Sequence, residues 1–144
     1  MSVKKNVVLL GATGSIGSSA VQELLSHRDK FNTVAVVADK SIEKLAECAK
    51  LLGAEEAVTA DASLEKDLGK LLENSSIAVS SGSRAIIDIV TRKDVDIVLC
   101  AILGVAGIKP VISALRCGKT VALTINIYYY LLYVSVVFTK LYLA

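Results

Sequence analysis

The stretch GATGSIG, residues 11–17, constrains this chain more than any other, because it joins two segments with different periodicity. Before it, Asn6 to Leu10 is a short run of branched apolar residues that reads as a buried strand. After it, Ile16, Ala20, Leu24 and Leu25 share one face of a helix. A strand that turns into a helix over three glycines is the phosphate-binding device of dinucleotide folds. Gly11 makes the tight turn, Gly14 lets a pyrophosphate approach the backbone, and Gly17 lets the helix pack close to the strand. The free N–H groups and the positive dipole end at Ser15, Ile16 and Gly17 would then face the phosphates. The spacing is GxxGxxG rather than GxGxxG, so the strand–turn–helix context carries much of this reading. The competing reading is a glycine-rich turn with no ligand.

The same alternation continues along the chain. Strand-like runs occur at Thr33 to Ala38, Glu56 to Thr59, Ile77 to Ser80, Val95 to Ala101 and Thr120 to Leu123. Between them, Ile42, Leu45, Ala46, Ala49 and Leu52 form a second helical face, and Asp61 is placed to cap a third helix. A short helix around Ala85 to Val90 ends in the charged turn TRKD, and the last begins near Pro110 and ends at Gly118. Strands alternating with helices require right-handed crossovers and a parallel sheet covered on both faces. The expected class is α/β, a Rossmann-like doubly wound parallel sheet with helices on both faces. A chain of 144 residues holds one such domain, and its 53 % hydrophobic content suits strands buried on both sides.

Several function classes are disfavoured. A net charge of +2 without a polybasic cluster gives no basis for nucleic-acid binding. Cys48, Cys100 and Cys117 are too widely spaced for a zinc site or a disulfide framework, and read as small buried apolar residues. His27, near a helix end, reads as a solvent-facing cap. Lys4 and Lys5 precede VVLL, but that apolar run is too short for a signal peptide, so a cytoplasmic protein is expected. GKT at 118–120 is preceded by Ser113 where a P-loop needs glycine, and it runs from helix to strand. No tyrosine is followed four residues later by lysine, and GxSxG, HExxH and CxxC are absent from the sequence, so no catalytic or metal-binding residue is assigned.

The cofactor's ribose would be read at the end of the second strand, where the chain has Ala38, Asp39, Lys40 and Ser41. Asp39 could accept hydrogen bonds from a free 2′-OH, favouring NAD, whereas Lys40 could pair with a 2′-phosphate, favouring NADP. Both readings stand on the residues alone.

Composition changes after residue 123. All five tyrosines lie at or beyond Tyr128, and Lys140 is the single charged residue beyond Thr120. The uncharged run Thr120 to Thr139 has the length of a membrane span, yet Asn126 and three mid-run tyrosines fit a span poorly. Residues 124–144 are expected to be an atypical tail, frame-shifted or non-native, with an ordinary strand-and-helix end and an anchor as alternatives.

The segments KNVVLLGATGSIGSSAVQELLSHRDKFNTVAVVADKSIEKLAE and VDIVLCAILGVAGIKPVISALRCGKTVAL closely resemble the N-terminal domain of 1-deoxy-D-xylulose 5-phosphate reductoisomerases, from about residue 5 to residue 123. The resemblance implies an NADPH-dependent oxidoreductase and isomerase of non-mevalonate isoprenoid biosynthesis. Such enzymes form 2-C-methyl-D-erythritol 4-phosphate from a sugar phosphate with Mg²⁺ or Mn²⁺, and the resemblance implies a homodimer. By position, Thr13, Gly14, Ser15 and Ile16 would bind the pyrophosphate, Lys40 and its neighbours the 2′-phosphate, and Ala101 to Gly107 the nicotinamide side. Two departures stand out. The family usually has a small or polar residue where this chain has Asp39, and Asn-Lys-Glu-Ser where it has Thr124 to Tyr128. The family's metal ligands and C-terminal domains have no counterpart in this sequence, so residues 1–123 are expected to bind cofactor without turnover.

Overall fold

A computed structural model describes residues 3–102, 104–123 and 137–138. Its sheet runs in the order β4-β3-β2-β1-β5-β6-β7. The strands are β1 (Lys5–Leu10), β2 (Phe31–Ala38), β3 (Glu56–Thr59), β4 (Ala78–Ser81), β5 (Ile97–Cys100), β6 (Thr120–Leu123) and β7 (Val137–Phe138). The first six are parallel, as the strand–helix alternation requires, and β7 pairs antiparallel with β6. Between them run α1 (Ser15–Ser26), α2 (Ile42–Leu52), α3 (Glu65–Leu71), α4 (Gly82–Val90) and α5 (Ile108–Arg116). The expected doubly wound sheet is therefore present. Its edges differ from the sequence reading by one to three residues: β2 starts earlier, at Phe31, β4 is displaced by one residue and β5 is shorter. The expected tail lies outside the described residues except for β7.

Alternate residues of each strand face opposite layers. Val7, Leu9 and Val36 pack with Ala20, Val21 and Leu24 of α1, Leu45 and Ala49 of α2, and Leu68 of α3. Val8, Leu10, Val37 and Val98 pack on the other face with Ile86, Ile89 and Val90 of α4 and Ala114 of α5. Strands buried on both sides explain the near-continuous apolar runs of the sequence. One irregularity was not legible there. Val7 pairs with Thr33 but Val8 pairs with Ala35, so Val34 is an extra residue in β2, and Val34 and Ala35 both enter the second core.

The β1–α1 junction is the tightest approach in the fold. Gly11 and Ala12 both donate their N–H to the Val37 carbonyl, at 2.8 and 3.0 Å, which ties the turn to the end of β2. Gly11 sits at φ +83°, and a Cβ on it would meet the Ala101 backbone at 2.9 Å. A Cβ on Gly17 would lie 1.9 Å from the Gly11 carbonyl oxygen and 2.8 Å from the Ala12 carbonyl carbon. Both obstacles are backbone, so α1 can rest on the turn only if residue 17 has no side chain.

A polar clamp closes the opposite end of the sheet. Arg92, in the turn after α4, contacts Asp94 at 2.6 Å and Glu55 at 2.8 Å, and Lys119 donates to the Arg92 carbonyl. Asp96 accepts from the Asn6 amide, and the Asn6 side chain donates to the Asp94 carbonyl. The TRKD turn thus joins the bases of β1, β3, β5 and β6. Gly118, at φ +74°, ends α5 by left-handed capping, with Gly118 donating to Leu115 and Lys119 to Ala114. Asp61 caps as expected, accepting from the amide and hydroxyl of Ser63 at the short 3-10 turn that leads into α3. His27 ends α1 with Nδ1 3.0 Å from the Glu23 carbonyl oxygen. The cysteine expectation is met in full only at Cys100, which is buried; Cys48 is half-buried against the first core, and Cys117, which follows the last turn of α5, is exposed. Among the described residues, no helix is long and apolar enough to cross a membrane.

Two outcomes follow from this packing. Gly17→Ala forces α1 off the turn and should lower stability by at least about 2 kcal/mol, read as a shift of the urea midpoint. The Arg92 guanidinium holds the Asp94 carboxyl below its ordinary value, so this contribution is present at neutral pH. It is lost as acidification carries the pH below about 4 and through the folded-state value. Arg92→Ala should therefore cost about 1 kcal/mol at pH 7, since the half-exposed pair is screened by solvent, and should make the urea midpoint fall less steeply in acid.

Candidate nucleotide site

The C-terminal ends of β1, β2 and β5 open onto a cavity of about 600 Å³ on the α4–α5 side of the sheet. This is the edge where doubly wound folds bind ligands, because successive loops diverge there and leave a crevice. Its floor is apolar: Val37 and Ala38 from β2, Ala101 and Ile102 after β5, and Ile86, Ile87 and Pro110 from the two helices. Polar groups border it at few points, among them Thr13 and Gly14 of the turn, Asp39 after β2, Ser83 at the start of α4 and Lys109 in the first turn of α5.

Of the three glycines in the turn, Gly14 differs in kind. Gly11 and Gly17 are demanded by the fold itself, but Gly14 has φ −77°, an ordinary value for any residue. A Cβ there would meet nothing in the chain closer than the Gly11 carbonyl oxygen at 4.0 Å. The missing side chain is therefore not needed for packing, and it leaves bare backbone at the cavity wall. No side chain caps α1 either: Ser18 and Ser19 donate their hydroxyls back to the Gly14 and Ser15 carbonyls. Among the described contacts, the N–H groups of its first turn are left for an external acceptor.

Of the residues read from sequence, Gly11, Thr13, Gly14, Asp39 and Ala101 border the cavity. Ser15 stands exposed at the start of α1, Ile16 packs partly against the first core, and Gly17 is buried beneath the turn. Lys40 is exposed and does not border the cavity, and Ser41 precedes α2 without capping it through its side chain. Hydrogen bonds from the Ser63 hydroxyl and amide hold the Asp61 carboxyl below the usual range, with the nearby Lys40 charge adding to the effect. Of the segment Ala101 to Gly107, Ala101, Ile102 and Ala106 border the cavity, while Gly107 is buried with its Cα side against the Cys100 sulfur.

Sequence reasoning missed the helical wall. Ile86 and Ile87 were legible as part of an apolar helix, but a residue that faces a cavity has the same periodicity as one that faces the core. Lys109 carried no signal at all, since a lysine at a helix start is ordinarily solvated. No catalytic group emerges from the cysteines: burial pushes the Cys48 and Cys100 thiols up, away from the thiolate form. Among the described residues, no three His, Cys, Asp or Glu side chains come together to hold a metal ion.

Residues 7–126 match the family model described as 1-deoxy-D-xylulose 5-phosphate reductoisomerase. The chain is 39 % identical over 123 residues to the reductoisomerase of Zymomonas mobilis, with 85 % of this chain and 31 % of that protein covered. It is 35 % identical over 121 residues to that of Phocaeicola vulgatus, with 84 % and 32 % covered. Among solved structures, the Zymomonas mobilis reductoisomerase in complex with NADPH superposes with a TM-score of 0.79 at 38 % identity, over 83 % of this chain and 31 % of that one. A reductoisomerase in complex with magnesium gives 0.78 at 26 % identity, over 84 % and 30 %. The chain thus spans about a third of the length of the relatives it matches. With its family model matched over most of its residues and its sheet superposed on that of solved members, the chain belongs to the 1-deoxy-D-xylulose 5-phosphate reductoisomerase family and corresponds to its N-terminal domain.

Proposed function

We propose that this chain is the NADPH-binding portion of a 1-deoxy-D-xylulose 5-phosphate reductoisomerase, with residues 1–123 forming the cofactor domain. The observation that carries the reading is Gly14, a glycine that neither backbone angle nor internal packing requires, set in the wall of a cavity beside an uncapped helix. In this reading Thr13, Gly14 and the first-turn amides at Ser15 and Ile16 hold the pyrophosphate. Gly11 and Gly17 shape the turn, and Asp39, Lys40 and Ser41 meet the adenosine ribose. Ala101 lines the nicotinamide side, and Lys109 adds a cation at the rim. When bound, NADPH supplies the hydride. The chain's own residues bind and orient it, and the apolar floor keeps water from the ring.

The reaction of the full-length enzyme would also need Mg²⁺ or Mn²⁺ and a sugar phosphate. The described residues do not fit such a cation, since no three ligating side chains converge. The proposal includes a cytoplasmic location, a homodimeric full-length enzyme, and no turnover by the 144-residue chain alone. A second reading, a nucleotide-binding module without chemistry, is favoured by one observation: Val137–Phe138 returns to the sheet and pairs with β6, as part of a self-contained domain would.

Gly14→Ala separates ligand from fold. It should leave the thermal midpoint nearly unchanged yet weaken NADPH binding by about tenfold or more, measured by nucleotide fluorescence, because the new methyl group stands where the pyrophosphate approaches. Unchanged affinity would count against this site. Incubation of the chain with 1-deoxy-D-xylulose 5-phosphate, Mg²⁺ and NADPH should show no cofactor oxidation at 340 nm, and sustained oxidation would overturn the claim of inactivity.

A further inference from the structure

The charges at the proposed ribose end of the cavity oppose one another. Asp39 is the single carboxylate among the residues that border the cavity. Its backbone is anchored, because the fully buried Thr59 donates its hydroxyl to the Asp39 carbonyl at 2.6 Å and fixes the end of β2 against β3. Its carboxylate, by contrast, has no hydrogen bond or ion pair among the described residues and is exposed. Lys40, next in sequence, does not border the cavity, and its charge acts on Asp61 after β3. The other nearby cation, Lys109, belongs to the β5–α5 connection. Sheet order puts β1 between β2 and β5, so Lys109 enters the cavity border from a different connection than Asp39 does.

A carboxylate at this position accepts hydrogen bonds from vicinal ribose hydroxyls and repels a phosphate dianion in the 2′ position. Resting on the nucleotide-site reading, we propose that Asp39 relaxes the cofactor preference of this chain, so that NADH binds with an affinity comparable to NADPH. Asp39 holds the free 2′-OH of NADH, and Lys40, exposed and outside the cavity border, is the cation that would meet the 2′-phosphate of NADPH. The two neighbours thus oppose each other, and neither cofactor is strongly excluded.

The test is direct titration of the 144-residue chain with NADH and with NADPH, followed by nucleotide fluorescence and calorimetry. Dissociation constants within about tenfold of each other are expected, and a preference for NADPH beyond that would overturn the proposal. Asp39→Asn keeps the side-chain volume and removes the charge at an exposed, unpartnered position, so the fold should survive, as circular dichroism can verify. The variant should shift the affinity ratio toward NADPH by about fivefold or more, as one lost charge-assisted hydrogen bond and one relieved repulsion require. An unchanged ratio would overturn the role of Asp39 even where both nucleotides bind. Binding of neither nucleotide by the folded native chain would overturn the site itself, an outcome distinct from NADPH-selective binding.

Discussion

The contact between the first turn of α1 and the backbone that leaves β1 governs everything above it. With Gly17 bare, the helix settles directly on the Gly11 and Ala12 carbonyl groups, and its first amides come to the edge of the sheet. The turn is in turn fastened to β2 through Val37, which accepts both the Gly11 and the Ala12 N–H. The glycine turn, the end of β2 and the β5 loop are thereby fixed relative to one another: Gly11 abuts Ala101, and Ala101 donates to the Leu10 carbonyl at 2.8 Å. A single omitted side chain sets both the helix position and the shape of the cavity.

Stabilising and binding groups are divided between the two ends of the strands. At the N-terminal end, the turns are closed by charge-assisted contacts around Arg92, Asp94, Asp96 and Lys119, and by Asn6, whose side-chain oxygen accepts from Asn32. At the C-terminal end, Asp39 and Lys109 carry no such partners among the described residues, and the bordering side chains are largely apolar. Charges satisfied within the fold cannot serve a ligand without losing a contact, whereas unpartnered charges at a cavity rim can. This contrast supports the proposed site at the cavity end, independently of the glycine motif.

Much of the fold was legible because its periodicities are strong. Six parallel strands and five helices could be read from branched apolar runs and helical faces, and Asp61, Pro110 and Gly118 marked helix ends through local backbone chemistry. The bulge at Val34 was hidden, since it lies in a continuous run of buried residues, Thr33 to Ala38, that carries no alternation to fix a register. The clamp role of TRKD was hidden as well, because Arg92 meets Glu55 across 37 positions of sequence and no local pattern encodes that meeting. Among the residues that border the cavity, Gly11, Thr13, Gly14, Asp39 and Ala101 had been singled out by motif and position, whereas Ile86, Ile87 and Lys109 had not.

By itself the sequence determined the class of fold, the strand–turn–helix identity of GATGSIG and the resemblance to a family, because each rests on short-range spacing or on residue identity. Only the tertiary structure decided which glycine serves the fold and which leaves room outside it. It also decided that Asp39 borders the cavity while the adjacent Lys40 does not. Those distinctions depend on approaches through space: the Gly11 carbonyl against Gly17 of α1, and the Ala101 backbone against Gly11. The physical reason is that spacing along a chain encodes periodicity, while steric exclusion and electrostatics act through space.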